Sequence, residues 1–165
     1  MSHLALAPDP RSGASESDLI LDDYLPFRLS VASNGVSRLI ARAYEDRFGL
    51  TIPQWRLMAV LAEGGLTQQA VVARTAMDKV TVSRAARELV SRGLLGRDAN
   101  MADGRSHLLV LTPIGRSLYA EIAPLAKAYE AALLTGLAPN EVATLKRLLL
   151  RLEAAAARLS GDSGR

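Results

Sequence analysis

Capping residues divide one stretch of this chain so closely that few folds can accommodate it. TQQAVVARTAMDKVTVSRAARELVSRGLLGRDANMADGRSHLLVLTP runs from Thr67 to Pro113. A side-chain oxygen at an N-cap takes up a backbone N–H that the first helical turn leaves unpaired, so Thr67, Asp78 and Thr112 mark helix starts. Gly93 marks a helix end, and Pro113 suits a first helical position. This punctuation predicts a helix over 68–75, a second over 79–92, short strands over 94–97 and 107–111, and a long helix from Pro113. Between the strands lies a polar loop with Asp103-Gly104, a hairpin-turn signal. Two short helices joined by a tight turn and followed by a hairpin make a winged helix-turn-helix.

The flanks are helical. Leu25, Leu29, Val36, Leu39, Ile40 and Ala43 recur at helical spacing up to about Phe48, where Gly49 suits a helix end. Pro53 fits the first turn of a helix running to about Ala62, which Glu63-Gly64-Gly65 breaks. Pro124 is expected to bend the helix from Pro113 or to sit near a break in it, and Gly136 to end it. A last helix starts at Pro139, with Val142, Leu145, Leu148, Leu149, Leu152 and Ala156 on one face. Aromatics are only 4% of the chain, and alanine and leucine dominate, which favours helix over sheet. The expected fold is therefore mainly α. Residues 1–22 read as a flexible acidic tail, 23–160 as one unit and 161–165 as a second tail. Within the unit, 53–111 is the winged helix-turn-helix, between helical segments 23–48 and 113–160. Those outer helices are more apolar than one small domain covers, which argues for a partner.

Composition removes several classes of function. The chain has no cysteine, so disulfides, thiolate metal sites and cysteine nucleophiles are excluded. Its two histidines, His3 and His107, stand far apart, and no metal site or cofactor is expected. No apolar run reaches the roughly 18 residues of a membrane span. The N-terminus lacks the basic end and apolar stretch of a secretory signal, so a cytoplasmic protein is expected. Net charge is +3, unevenly spread: residues 1–23 hold Arg11 against Asp9, Glu16, Asp18, Asp22 and Asp23, a net of −4, which leaves +7 on the rest. A basic body fits a polyanionic partner and equally a solvated arginine-rich surface.

The second short helix, DKVTVSRAARELVSRG, is the candidate for reading DNA. With Val82, Ala86 and Leu89 as its buried stripe, Val80, Arg84, Arg87 and Ser91 point outward at about 100° per residue. Thr81 and Ser83 flank them, and Lys79 sits at the start. Arginine can bond two acceptors of guanine in the major groove, Val80 or the Thr81 methyl can touch a thymine methyl, and hydroxyls and N–H groups at a helix start can hold phosphates. An ordinary amphipathic helix with a solvated arginine face remains the alternative. Thr67 is explained by capping, with a phosphate contact as the second reading. His107 reads as a surface or packing residue.

The hairpin adds weight to the DNA reading. T-V-S-R at 81–84, E-L-V-S-R-G-L-L-x-R at 88–97, D-G-R-S at 103–106 and L-T-P-x-G at 111–115 follow one another in the order and spacing of the MarR (multiple antibiotic resistance regulator) family. The chain resembles that family over roughly residues 24–160, FGLTIPQWRLMAVL included. The resemblance implies a homodimer with interlocked N- and C-terminal helices, bound to double-stranded DNA at an imperfect palindrome. It implies that Arg105 of the wing enters the minor groove, whose narrow form attracts arginine. Asp103 then supports the wing, or simply makes its turn, and Arg97 at the wing base is a partner for Asp103 or for a phosphate. It also implies a pocket for a small effector, often an aromatic acid. Tyr24, Arg28, Trp55 and Arg56 are candidates to line it, although Trp55 also reads as a core anchor and Arg28 as an ion-pair partner.

The expected function is a ligand-responsive, sequence-specific regulator, most simply a repressor. The alternatives are an architectural DNA protein and a protein-binding winged helix. An enzyme is not expected: no phosphate loop, nucleotide fingerprint, Ser/His/Asp pattern or metal cluster is present.

Overall fold

A computed structural model describes residues 19–100 and 106–162. Its helices are α1 (Leu25–Phe48), α2 (Ile52–Ala62), α3 (Gln68–Thr75), α4 (Lys79–Ser91), α5 (Pro113–Leu133) and α6 (Pro139–Asp162). Three strands, β1 (Leu66–Thr67), β2 (Leu95–Ala99) and β3 (His107–Leu111), form an antiparallel sheet in the order β1-β3-β2. A 3-10 turn, Leu21–Asp23, leads into α1 across the expected boundary between tail and unit. α6 runs on to Asp162, into the segment expected to be the second tail.

Each helix boundary has a local cause. α1 ends on Gly49, whose φ of 58° is left-handed, and its N–H donates to the Tyr44 and Glu45 carbonyls. α2 starts at Ile52, one residue before the sequence reading, because Thr51 is its N-cap. The Thr51 hydroxyl accepts from the Gln54 N–H (3.5 Å), and the Gln54 side-chain oxygen accepts from the Thr51 N–H (3.0 Å), a reciprocal capping box. Thr67 caps α3 by accepting from the Ala70 N–H (3.2 Å). α5 is continuous across Pro124, so of the expected bend or break the break does not occur. Proline there removes one ladder hydrogen bond, and the remaining packing holds the helix together. Gly136 lies in the turn between α5 and α6.

The core is one cluster. Leu57, Met58 and Leu61 of α2, Val71 of α3, Val82, Ala85, Ala86 and Leu89 of α4, and Leu95, Leu109 and Leu111 of the sheet are buried together. Tyr44 and Leu50 join from the α1–α2 corner and Ile122 from α5. β1 is too short to show alternation, and sequence reading missed it. It adds Leu66 opposite Leu109 and Thr67 opposite Leu108. Among the described side chains nothing before Tyr44 or after Ile122 is buried. α6 is joined to α5 by Lys146 and Glu130 at 3.0 Å, both more than half exposed; a pair in that setting is worth about 0–1 kcal/mol.

The base of the hairpin is closed by close approach. The Leu94 carbonyl accepts from the Thr112 N–H (3.1 Å), and the Thr112 hydroxyl donates to the Gly93 carbonyl (2.6 Å) while accepting from the Gly115 N–H (3.1 Å). A Cβ on Gly115 would lie 2.1 Å from the Leu94 carbonyl oxygen. This explains why glycine follows Thr-Pro by two residues. Gly115→Ala is expected to lower stability by about 1–3 kcal/mol in urea unfolding; wild-type stability would show that α5 can withdraw from Leu94 freely.

Candidate nucleic-acid interface

α4 is positioned by its small buried face. Ala85 and Ala86, 3% exposed each, allow its backbone close to the core, and Val82 and Leu89 fill the space on either side. The opposite face is open. Lys79, Val80, Arg84 and Arg87 are exposed, Val80 by 66%. Among the described residues Arg84 has no hydrogen-bond or ion-pair partner, and Arg87 makes a long bond (3.4 Å) to the Ser83 carbonyl one turn back. An exposed valine on this cationic face suits a base edge with a thymine methyl.

Thr81 and Ser83 are half-buried beside this face. The Thr81 hydroxyl donates to the Asp78 carboxylate (2.6 Å), and the Thr81 N–H donates to the same group (2.8 Å). The Thr81 donor is therefore engaged in the cap, which leaves its methyl as the part available to a base. The hydroxyl first, then the backbone N–H, holds the Asp78 pKa below the ordinary carboxylate value.

Beside α4 stands the wing. β2 and β3 pair from Leu95 opposite Leu111 to Ala99 opposite His107. Asn100 and Ser106 close its loop, with the Asn100 amide donating to the Ser106 hydroxyl (2.7 Å). Arg97, opposite Leu109, is exposed. It lines a groove of about 390 Å³ with Gln68, Gln69, Asn100 and His107, and among the described residues no acidic one contributes to that lining. Asp103 and Arg105 lie outside the described residues.

The four effector candidates are not brought together. Trp55 and Arg56 line a cleft of about 560 Å³ between α1, α2 and α6, with Val36, Ile40, Leu145 and Leu149 as apolar walls. Tyr24 and Arg28 sit at the start of α1, outside that lining. Trp55 also anchors the interior, 5.0 Å from the Tyr44 ring and stacked 5.7 Å from Tyr119. Burial, and to a lesser degree Tyr129, pushes the Tyr44 phenol pKa up, so it stays neutral.

Sequence reading missed three residues that orient α4. Gln54 is the one buried polar side chain among the described residues, and its amide donates to the Glu88 carboxylate (2.6 Å). Arg92 donates to the carbonyls of Gly49 (2.8 Å) and Phe48 (3.1 Å). The Thr-x-x-Gln spacing at 51–54 signalled the cap; nothing local signalled its link to Glu88.

Two comparisons agree with this geometry. A family model described as the MarR family matches residues 48–106. The solved structure of a probable transcriptional regulator from Pseudomonas aeruginosa is 35% identical, with 81% of this chain and 99% of that one covered at a TM-score of 0.70. The chain belongs to the MarR family. A MarR-family transcriptional regulator from Silicibacter pomeroyi is 29% identical, with 82% of this chain and 91% of that one covered and a TM-score of 0.72. BpsR of Bordetella bronchiseptica, whose DNA binding is regulated by 6-hydroxynicotinic acid, is 28% identical, with 83% and 98% covered and a TM-score of 0.75. No curated protein matches the chain. As in other members of the family, the protein is a transcriptional regulator with a winged helix-turn-helix. None of its helices, among the described residues, is long and apolar enough to cross a membrane.

The cap of α4 has a pH signature. A carboxylate whose folded pKa is depressed stabilises the fold above its unfolded pKa, and that contribution is lost as pH falls through the folded value. Asp78→Ala should therefore melt below wild type at neutral pH, with the gap closing in acid below roughly pH 4. A gap unchanged in acid would show that the ionised carboxylate does not carry the cap.

Proposed function

We propose that this MarR-family protein is a ligand-responsive repressor that binds a pseudo-palindromic operator as a homodimer. The observation that carries the reading is the open face of α4, where Lys79, Val80, Arg84 and Arg87 stand exposed beside a wing whose groove is lined by the Arg97 cation. In this reading Arg84 and Arg87 read bases in the major groove, Lys79 and Ser83 hold phosphates, and Val80 and the Thr81 methyl meet thymine. Arg105 reaches the minor groove, with Asp103 and Arg97 supporting the wing.

Homodimerisation is supported by the surface that one chain leaves uncovered. Leu25, Phe27 and Leu29 of α1 and Leu145, Leu148, Leu149 and Leu152 of α6 are exposed. A contiguous apolar surface of this kind is what an obligate interface covers. A two-fold dimer presents its recognition helices to successive major grooves about 34–36 Å apart. The effector reading rests on the cleft at Trp55 and Arg56, apolar with one cation, which suits a small aromatic anion; BpsR and its hydroxynicotinic acid are the parallel. The ligand lowers DNA affinity by favouring another spacing of the two heads. The protein has no enzymatic role in this reading, and it works in the cytoplasm, on DNA.

The test is recovery of fragmented genomic DNA by the purified protein, followed by sequencing. A few sharp peaks sharing a palindrome are expected. Diffuse recovery would favour an architectural role, and no recovery at low salt would favour a protein-binding module. On the recovered site, Arg84→Ala is expected to weaken binding by about 1–3 kcal/mol and to relax base preference; wild-type affinity would remove Arg84 from the interface.

A further inference from the structure

We propose that the α1–α2 corner is a mechanical link, in which Gln54 and Arg92 are positioning residues that couple the cleft at Trp55 to the recognition helix α4. This rests on the reading of that cleft as the effector site and names the route by which its occupancy is felt at DNA.

Two tethers converge on the corner from the C-terminal half of α4. Glu88 accepts from the buried Gln54 amide at 2.6 Å. Arg92 donates to the last carbonyls of α1, at Phe48 and Gly49, where helix geometry leaves acceptors unpaired and favours a cation. The corner itself is stiff. The left-handed cap at Gly49 closes α1, and the capping box between Thr51 and Gln54 closes α2. Gln54 belongs to both systems, because its oxygen completes the cap while its nitrogen holds Glu88.

The same helical turn faces the cleft. Ile52, Trp55 and Arg56 line it, and Gln54 lies between them in the chain. A ligand that shifts the first turn of α2 cannot do so without pulling on Glu88 or breaking a buried hydrogen bond, since Gln54 is only 5% exposed. α1, the other wall of the cleft, ends on the carbonyls that Arg92 holds. The exposed face of α4 then turns relative to the core with both walls of the cleft. Neither Gln54 nor Arg92 touches DNA or ligand in this scheme.

Coupling of this kind is reciprocal, so DNA bound at α4 must be felt in the cleft. Trp55 reports it without a label: it is the only tryptophan, and it sits between the Tyr44 and Tyr119 rings. The experiment titrates the full chain with duplex DNA at low salt, where phosphate contacts hold the complex. Binding is read by anisotropy of labelled DNA, and Trp55 emission is read at saturation, so that a change in affinity alone does not alter the result. Glu88→Ala cuts the link at an exposed residue and leaves the α2 cap intact; Glu88→Gln keeps an acceptor for Gln54. Wild type and Glu88→Gln are expected to change emission on saturation, and Glu88→Ala to bind DNA with that change lost. Arg92→Ala, which cuts the second tether alone, is expected to lose part of it. A wild type that binds DNA with no change in Trp55, or a Glu88→Ala that responds like wild type, overturns the coupling and leaves the regulator reading standing. A wild type that binds no DNA overturns both.

Discussion

The close seating of α4 on the core is the constraint from which the rest follows. Two alanines in the middle of its buried face keep the helix low, so that Val82 and Leu89 reach the apolar side chains of α2 and α3 while the opposite face is exposed. Larger residues at 85 and 86 would lift the helix and tilt its cations. The orientation is then secured at both ends. Asp78 satisfies the first turn, and Glu88 and Arg92 attach the last turns to the α1–α2 corner. Lys79, Val80, Arg84 and Arg87 stand outside the buried core, which leaves that face open to selection for a ligand.

The second constraint is what the single chain cannot bury. Its core closes between Tyr44 and Ile122, and the two longest helices, α1 and α6, lie largely beyond it. One exposed ion pair between Lys146 and Glu130 does not offset the cost of leaving the leucines of α6 in water, which is roughly 1.5–3 kcal/mol for each fully exposed large side chain. Interhelical contact with another surface is the physical remedy, and the proposal of a homodimer supplies it with the same residues from a second copy.

Much of this was legible in the sequence. N-cap chemistry is local, so Thr67, Asp78 and Thr112 marked their helices correctly, and the 3.6-residue period placed Val82, Ala86 and Leu89 inward and Arg84 and Arg87 outward. What was not legible depends on contacts distant in sequence. β1 exists only because β3 passes beside Leu66 and Thr67. Gln54 and Glu88 are each unremarkable on their own helices and meet only after folding. At Pro124, read as a bend or a break, the break is absent: a proline weighs against a helix locally, and the rest of α5 holds it continuous. For Arg28 and Tyr24 the residue types suited an aromatic anion, but no periodicity says which side chains share a cleft, and these two lie outside the one that holds Trp55 and Arg56.

The closed base of the hairpin has a consequence for how such a protein can diversify. Leu94, Thr112 and Gly115 lock the strands to α5, and Asn100 and Ser106 pair just below the loop. The scaffold's own demands on the hairpin are met at these contacts, so an outward-facing strand position such as Arg97 can change in charge and alter what the wing touches while the body stays constant. The helix beside it has no such freedom, since each of its turns is also a piece of the core.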